Sequence, residues 1–386
     1  IDTMYLSNVN FDCSDTGSNT VTLYVADING NPDSATSTVT VIDTTAPTIS
    51  VNNVFTLYLN TSGSAAISIN SINDGTNDNC GIESLSLSDS LFDCSDTGSL
   101  SITFTATDFS GNVDTGSISI TVLDTILPNV ATQNLTVYLN SSGFASVTAA
   151  MVNNGSFDNC SIDTMVLSDT SFNCSAVGGN SVVLYVWDAS GNIDSAGAII
   201  TVVDSVPVEL NTYSSIDVYL NSTGFFELDT SMFDSASTDN CGIATMTLSQ
   251  DTVWCADVPS TNVTLTATDA YGNISTSNVI VNVFDTISPT VSAIDTMGYL
   301  NTNGQFVITA AMLNDGTMDA CGIDSMWLSQ SIFSCADIGV DTIWFYAADE
   351  NGNVDSTQSE IAIVDSISTV DISIDSNLLC LSLSHY

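Results

Sequence analysis

The chain has 386 residues, with 44 acidic residues, one His and neither Lys nor Arg, so its formal net charge is -44 at pH 7. This composition excludes nucleic-acid binding because no cation can contact phosphate, and an anionic membrane surface would repel the chain. No signal peptide, membrane-spanning run or lipidation motif is present, and we predict no direct membrane insertion of this segment. The hydrophobic fraction of 44% predicts a folded chain.

Residues 1–45 have the pattern of the second half of a repeat. Alternating apolar residues at 21–26 and 36–41 flank the turn Asp27-Ile-Asn-Gly-Asn31, which predicts an antiparallel hairpin. The segment aligns with the end of the following repeat, so Cys13 corresponds to Cys94. We therefore expect the partner of Cys13 to precede Ile1, and the chain to be a piece of a longer protein.

Four complete copies follow, each introduced by a short link that contains Pro. We assign the first to fourth repeats to 46–126, 127–206, 207–287 and 288–366, and the start of a variant unit to 367–386. Six or seven short alternating segments in each repeat predict β-strands, with single helical turns at most near 149–153 and 310–313. The sequence thus predicts an all-β fold: a tandem array of immunoglobulin-like antiparallel β-sandwich repeats of about 80 residues forming an elongated rod.

Aromatic side chains within the predicted strands are assigned to the core of these sandwiches. This prediction covers Phe104, Tyr185 and Phe345, which lie in alternating segments. Phe225, Phe226 and Trp254 in the third repeat are also assigned to the core, with an exposed binding patch as the alternative.

Eight cysteines recur in four pairs at one fixed spacing. Cys-x13-Cys without His lacks the spacing of a zinc site, so disulfides are favoured, which places the protein outside the reducing cytosol. We predict one disulfide within each repeat, closing a loop of about 15 residues and contributing about 3 kcal/mol in the chain-entropy model. The predicted pairs are Cys80 with Cys94, Cys160 with Cys174, Cys241 with Cys255, and Cys321 with Cys335. Cys380 in the tail is left without a visible partner.

The combined motifs resemble hyalin repeats and related immunoglobulin-like modules of very large surface proteins from gliding and marine Bacteroidetes. The resemblance covers residues 1–365 and rests on Asp78-Asn-Cys-Gly-Ile82, Phe92-Asp-Cys-Ser-Asp-Thr-Gly98, Thr105-Ala-Thr-Asp-Phe-Ser-Gly-Asn112 and Asp43-Thr-Thr-Ala-Pro47. It implies an extracellular stalk or adhesin. The chain departs from many members in lacking a cysteine in the last strand and any basic residue.

Three aspartates of each repeated set are predicted to meet at one pole of a sandwich, beside the incoming link. Three carboxylates with backbone carbonyls suit Ca²⁺, which prefers oxygen ligands. The alternative is that each Asp only caps a turn through nearby backbone amides. The predicted calcium ligands are Asp43, Asp78 and Asp108; Asp124, Asp158 and Asp188; Asp204, Asp239 and Asp269; and Asp285, Asp319 and Asp349.

Asp followed by Ser or Thr and an apolar residue resembles the O-glycan acceptor of exported Bacteroidetes proteins. The alternative is that Asp-Thr merely suits the end of a strand. The predicted glycosylation sites are Ser34, Thr125, Thr164, Thr252 and Thr286.

Catalysis has little support, because no His base, activated Ser or phosphate loop recurs in the repeats. We expect a non-enzymatic structural segment of a long extracellular fibre or cell-surface adhesin, giving reach, stiffness and protease resistance. Neighbouring copies of the chain could assemble laterally into a filament, since repeats present one patch many times. The alternative is an adhesive module that binds glycans, a protein, or the surface of a prey or host cell.

Overall fold

The computed structural model describes residues 1–365, and the variant unit predicted at 367–386, with Cys380, lies outside them. The chain divides into two compact units. One contains Ile1–Tyr138 and Phe144–Val203, and the other contains Leu139–Gly143 and the described residues from Asp204 onward.

The half-repeat forms a three-stranded antiparallel sheet of β1 (Thr3–Leu6), β2 (Gly17–Ala26) and β3 (Pro32–Val41). β2 and β3 pair along their full length around the Asp27 turn, which confirms the predicted hairpin.

Each complete repeat has six strands, within the predicted range of six or seven. The first repeat contains β4 (Val54–Tyr58), β5 (Ser64–Ala66), β6 (Ile82–Leu87), β7 (Leu91–Asp93), β8 (Gly98–Asp108) and β9 (Val113–Leu123). The second contains β10 (Leu135–Tyr138), β11 (Phe144–Ser146), β12 (Ile162–Leu167), β13 (Ser171–Asn173), β14 (Gly178–Asp188) and β15 (Ile193–Val203).

The third and fourth repeats have the same plan. The third contains β16 (Ser215–Tyr219), β17 (Phe225–Glu227), β18 (Ile243–Leu248), β19 (Thr252–Trp254), β20 (Ser260–Asp269) and β21 (Ile274–Phe284). The fourth contains β22 (Thr296–Tyr299), β23 (Gln305–Val307), β24 (Ile323–Leu328), β25 (Ile332–Ser334), β26 (Gly339–Asp349) and β27 (Val354–Val364).

The strands of a repeat form a four-stranded and a two-stranded sheet. In the first repeat the orders are β4-β9-β8-β6 and β5-β7. β4 runs parallel to β9, whereas β8 is antiparallel to both β9 and β6. The fold is therefore all-β, with sandwich-like units repeated along the chain.

Short helices connect some of the strands. One-turn helices α1 (Ile69–Ile72), α2 (Ala149–Val152) and α3 (Ala310–Leu313) confirm that helix is limited to single turns, and a 3₁₀ turn at Thr230–Met232 replaces them in the third repeat. Further 3₁₀ turns lie at Cys13–Asp15, Cys94–Asp96, Cys174–Ala176, Cys255–Asp257 and Cys335–Asp337. The strand β5 ends at Ala66, because Ser68 caps α1 by accepting a hydrogen bond from the Ser71 amide.

Alternation along the long strands places the core between the two sheets. Phe104 and Phe345 are fully buried, as predicted. Tyr185 is 37% exposed, so its assignment to the core is wrong. Its neighbours Leu184 and Val186 point inward instead, and a shift of one residue places a side chain on the opposite face of a strand.

Candidate metal centres and disulfides at the links

The disulfides join successive repeats, which corrects the pairing expected from the sequence. Cys13 is bonded to Cys80, and Cys94 to Cys160, with Cα atoms 5.1 Å and 5.3 Å apart. Cys255 is bonded to Cys321 in the same way. The predicted bonds within repeats, Cys80 with Cys94, Cys160 with Cys174, Cys241 with Cys255 and Cys321 with Cys335, are therefore wrong, although Cys174, Cys241 and Cys335 are also disulfide-bonded.

Strand direction explains why the pairing within a repeat fails. Cys80 lies before β6 and Cys94 lies after it, so the six residues of β6 carry the chain about 20 Å from one pole of the repeat to the other. A disulfide requires Cα atoms closer than about 7 Å. Cys13 likewise has its partner in the next repeat and not before Ile1.

The turn between the last two strands holds the incoming link at one pole of each repeat. In the second repeat, Asn192 Nδ2 donates to the backbone oxygen of Asp124 at 3.2 Å and to Asp188 Oδ2 at 2.7 Å. Asp188 Oδ1 accepts from the amides of Ser190 and Asn192. Asn112, Asn273 and Asn353 make the same bonds in the other repeats.

Three aspartates therefore meet at this pole, and we call each group a link site. Ligand atoms of Asp43, Asp78 and Asp108 lie within 4.8 Å of one another, as do those of Asp124, Asp158 and Asp188, and of Asp204, Asp239 and Asp269. The fourth group contains Asp285, Asp319 and Cys321 but not Asp349. Because Cys321 is in a disulfide, its sulfur cannot act as a thiolate ligand.

One oxygen of each carboxylate caps the local backbone, as the turn-capping alternative predicts. Asp124 Oδ1 accepts from the Ile126 amide at 3.1 Å, and Asp158 Oδ2 accepts from the Cys160 amide at 2.8 Å. Burial would raise the pKa of Asp108, but hydrogen bonds from Asn112 outweigh burial and hold that pKa below its ordinary value. Asn273 acts on Asp269 in the same way.

In the first three sites, the aspartate of the link and the aspartate of the loop before the cysteine each have a second carboxylate oxygen. This oxygen is buried without a hydrogen-bond partner. At the second site these are Asp124 Oδ2 and Asp158 Oδ1. Asp124 is only 6% exposed, so water does not readily replace the missing donor. The first and third sites repeat the arrangement at Asp43, Asp78, Asp204 and Asp239.

An asparagine next to the loop aspartate was missed as a site residue. Asn159 Nδ2 donates to Asp124 Oδ1 at 3.1 Å, and Asn159 Oδ1 is buried without a hydrogen-bond partner. Asn240 holds Asp204 Oδ1 at 3.1 Å in the same way. Its recurrence in Asp-Asn-Cys was the available signal, although Ala320 interrupts it in the fourth repeat.

Electrostatics define what such a site can bind. Two like charges 4.8 Å apart repel by about 3.5 kcal/mol at an effective dielectric constant of about 20, and each of the first three sites holds three carboxylates. Residues 1–365 contain no Lys or Arg to offset this charge. A hard cation with six to eight oxygen ligands fits these donors, whereas an anion does not.

The predicted glycosylation sites and the aromatic residues of the third repeat differ in solvent exposure. Ser34, Thr125, Thr164 and Thr286 are exposed, while Thr252 is half-buried and its hydroxyl donates to Asp251 Oδ1. Phe226 packs against the core of the third repeat, as predicted. Trp254 is 52% exposed and contacts the Phe225 ring. The assignment of Trp254 to the core is therefore wrong.

A set of exposed tyrosines, one in each complete repeat, was also missed. Each complete repeat ends its first strand with a tyrosine that is between 56% and 62% exposed: Tyr58, Tyr138, Tyr219 and Tyr299. The recurring Tyr-Leu-Asn was visible in the sequence, but the face on which the Tyr lies was not.

Together the fold and the sites define a class of protein: tandem β-sandwich repeats with disulfides between repeats and an acidic site at each link. Over 291 residues the chain is 29% identical to hyalin from Strongylocentrotus purpuratus, a match that covers 72% of this chain and 24% of that protein. The chain thus spans about a quarter of the relative's length. No protein-family model matches it.

Solved structures of tandem extracellular domains are also similar. The Protocadherin GammaB4 extracellular domain aligns with 94% of this chain and 77% of its own, at 15% identity and a TM-score of 0.26. Sidekick-1 immunoglobulin domains 1–5 align with 92% of this chain and 87% of their own, at 9% identity and a TM-score of 0.28. At these scores the fold assignment rests on the strand pairings above. Within residues 1–365, no helix has the length and apolar character needed to cross a membrane.

Proposed function

We propose that this chain is a structural segment of a long extracellular fibre or cell-surface adhesin, in which disulfides and calcium ions hold successive repeats together. The observation that carries this proposal is the set of unpartnered, buried carboxylate oxygens at the links, beside disulfides that join repeats. The similarity to hyalin supports a repeat protein.

Calcium would supply the positive charge that the carboxylates of the link sites lack. At the second site, Asp124 Oδ2, Asp158 Oδ1 and the Asp188 carboxylate offer three negatively charged ligands, and Asn159 Oδ1 offers a neutral one. Water and backbone carbonyls would complete a shell of six to eight oxygens. The ion would turn the repulsion between the carboxylates into attraction and fix the link against the following repeat.

The link ions also bear on the large negative charge. Each Ca²⁺ removes two of the 44 negative charges and acts where three of them are closest. A chain whose links are held by both a metal ion and a disulfide resists bending and proteolysis at the positions where repeats meet. Reach and stiffness are thus the proposed contributions to the parent fibre, and the elongated shape predicted from the sequence belongs to this proposal.

Calcium titration of the oxidised 386-residue chain tests the proposal. After treatment with a chelator, added Ca²⁺ should raise the melting temperature. Free calcium at 100 times the dissociation constant of a site stabilises the folded state by about 2.7 kcal/mol. Mg²⁺ should have a smaller effect, since it favours octahedral geometry and retains water. Unchanged melting together with no bound calcium would rule the proposal out.

A matched pair of variants assigns the effect to a link site. Asp158→Asn keeps an oxygen to accept from the Cys160 amide but removes the charge at the site. Asp163→Asn removes an exposed charge five residues further along the same repeat. Only the first should lower the amount of bound calcium. Negative-stain imaging with and without calcium would then show whether the ions straighten the particles.

Lateral association is a second function, favoured by the exposed tyrosine that recurs in each complete repeat. Identical exposed aromatics at equivalent positions suit contacts that repeat along a neighbouring copy of the chain. The net charge opposes such contacts, so they should strengthen with salt or calcium. Sedimentation of the chain and of a variant with Ser at Tyr58, Tyr138, Tyr219 and Tyr299 tests this. Monomers under every condition would argue against bundling and leave glycan or protein binding as the role of these tyrosines.

A further inference from the structure

The link aspartate has the same hydrogen bonds in three of the four sites. Asp43 Oδ1, Asp124 Oδ1 and Asp204 Oδ1 each accept from the amide two residues ahead and from the asparagine of the Asp-Asn-Cys loop. Both donors lie on one oxygen, so Oδ2 remains buried without a partner. The asparagine therefore positions the carboxylate and directs its second oxygen into the site.

The fourth site breaks this pattern at two positions. Ala320 replaces the loop asparagine and cannot hold the carboxylate of Asp285. In addition, Asn351 Nδ2 donates to Asp285 Oδ2 at 3.0 Å. Ser110, Ser190 and Tyr271 stand at the equivalent turn position in the other repeats. A side-chain amide thus occupies the oxygen that is unpartnered in the first three sites.

Other features of the fourth site agree with this difference. Within residues 1–365, the buried carboxylate oxygens that lack a partner belong to the first three sites. Asp349 is absent from the fourth group of close ligand atoms.

We infer that the four link sites are not equivalent: those of Asp43, Asp124 and Asp204 each bind a calcium ion tightly, whereas in the site of Asp285 the amide of Asn351 takes the place of the ion. This inference rests on the calcium proposal above. The fourth link is then held by the Cys255–Cys321 disulfide and by the Asn351 hydrogen bond without tightly bound metal. The array contains three metal-dependent links and one that a chelator does not loosen.

Counting bound ions on the oxidised 386-residue chain is the direct test. Isothermal titration with Ca²⁺, together with elemental analysis after gel filtration in buffered free calcium, should find three tight ions. The fourth site should bind about 10-fold more weakly or worse, which is the usual cost of losing a residue that orients a metal ligand.

Two exchanges based on the chain's own repeats locate the difference. Ala320→Asn with Asn351→Ser gives the fourth site the residues of the second and should raise the number of tight ions from three to four. Ala320 and Asn351 are both exposed, so the new side chains have room. Asn159→Ala should reduce the number of tight ions to two. Asn29→Ser makes the same turn exchange in the half-repeat and should leave three.

The outcomes separate this inference from the proposed function. No bound calcium in any form of the chain would overturn both. Four equivalent ions in the unchanged chain would overturn the inference alone and leave calcium-held links intact. If the chain with the exchanged fourth site still binds three tight ions, with its disulfides and circular dichroism unchanged, the inference would also be overturned. Asn351→Ser alone, which removes the competing amide, gives a second reading should the double exchange fail to fold.

Discussion

The interior of a repeat and the link between repeats are stabilised in opposite ways. In the first repeat, Phe104, Ile72 and Ile118 are fully buried and belong to one continuous apolar cluster. At the following link, three carboxylates face one another beside the Cys94–Cys160 disulfide. The interior is complete without any partner, whereas at the link Asp124 Oδ2 and Asp158 Oδ1 are buried without a hydrogen-bond partner.

The difference implies two separate responses to conditions. Apolar burial depends on neither calcium nor redox state, so each sandwich should stay folded in chelator or reductant. The first three links should weaken under both treatments, and the fourth under reductant alone. The following predictions test this separation, beginning with the largest expected effect.

Phe104→Ala should destabilise the first repeat by about 3–5 kcal/mol through loss of burial and a new cavity. Because the core is local, the damage should remain within 46–126 and leave calcium binding at the third link site unchanged. Hydrogen exchange measured peptide by peptide resolves this, since a multi-repeat chain need not unfold in one transition.

Leu91→Ala in the same repeat is the control, because Leu91 is 72% exposed and its truncation should change stability by about 0.5 kcal/mol or less. Loss of protection in every repeat of the Phe104→Ala chain would show that interior and link are coupled after all.

Cys94→Ser with Cys160→Ser should remove about 4 kcal/mol, since the disulfide closes a loop spanning 66 residues. The loss should appear at the link and not in the cores. Calcium affinity at the Asp124 site should also fall, because Cys160 is adjacent to Asn159 and its amide binds Asp158. Melting and calcium titration, with and without reductant, measure both effects.

Non-reducing peptide maps supply the control for connectivity. Cleavage at acidic residues should release Cys94 joined to Cys160 and never to Cys80. A Cys80–Cys94 peptide as the main product would contradict the fold described here.

Gly63→Ala should disturb the link through close packing. A Cβ at Gly63 would lie 2.8 Å from Cys94 Sγ and 2.7 Å from the backbone oxygen of Asn159. The φ of Gly63, +67°, also disfavours a side chain, at a cost of about 1–3 kcal/mol. Weaker calcium binding at the second site and faster exchange around Cys94 and Cys160 are the expected results.

Gly75→Ala separates the two causes, because Gly75 has a φ of +91° but nothing within 4 Å of a new Cβ. It should carry the backbone cost and leave the link unchanged. Equal calcium affinities in the two variants would show that packing at Gly63 is not needed.

The sequence predicts the fold well because alternation and turn residues recur in every copy. It also brings Asp124, Asp158 and Asp188 together, since strand direction in a sandwich places the link, the loop and the turn at one pole. Tyr185 fails because its segment is apolar on both sides, so alternation does not fix which residue points inward.

The disulfide pairing could not be obtained in the same way. In a periodic chain the separation of Cys80 from Cys94 recurs in every repeat, and that of Cys94 from Cys160 recurs to within one residue, so regular spacing hardly distinguishes the two pairings. Only the length of β6 between the first two cysteines decides, and that requires knowing that the strand spans the whole repeat. The positioning role of Asn159 was hidden for a related reason, because it depends on which carboxylate oxygen already has a donor.

Asp234→Asn should give the smallest effect, on the pH dependence of the third repeat alone. Hydrogen bonds from Ser237 hold the pKa of Asp234 below its ordinary value. Such a group stabilises the fold above its unfolded pKa of about 3.9, and this contribution is lost as the pH falls through the lower folded pKa.

Asn stands at this position in the other repeats, where Asn73 accepts from the Thr76 amide at 2.9 Å. The variant should therefore keep its turn and lose part of the decline in stability below about pH 4, as followed by hydrogen exchange of peptides from 207–287. An unchanged acid profile would mean that Asp234 contributes nothing to it, and a fall in stability at neutral pH would mean that the charge itself holds the turn.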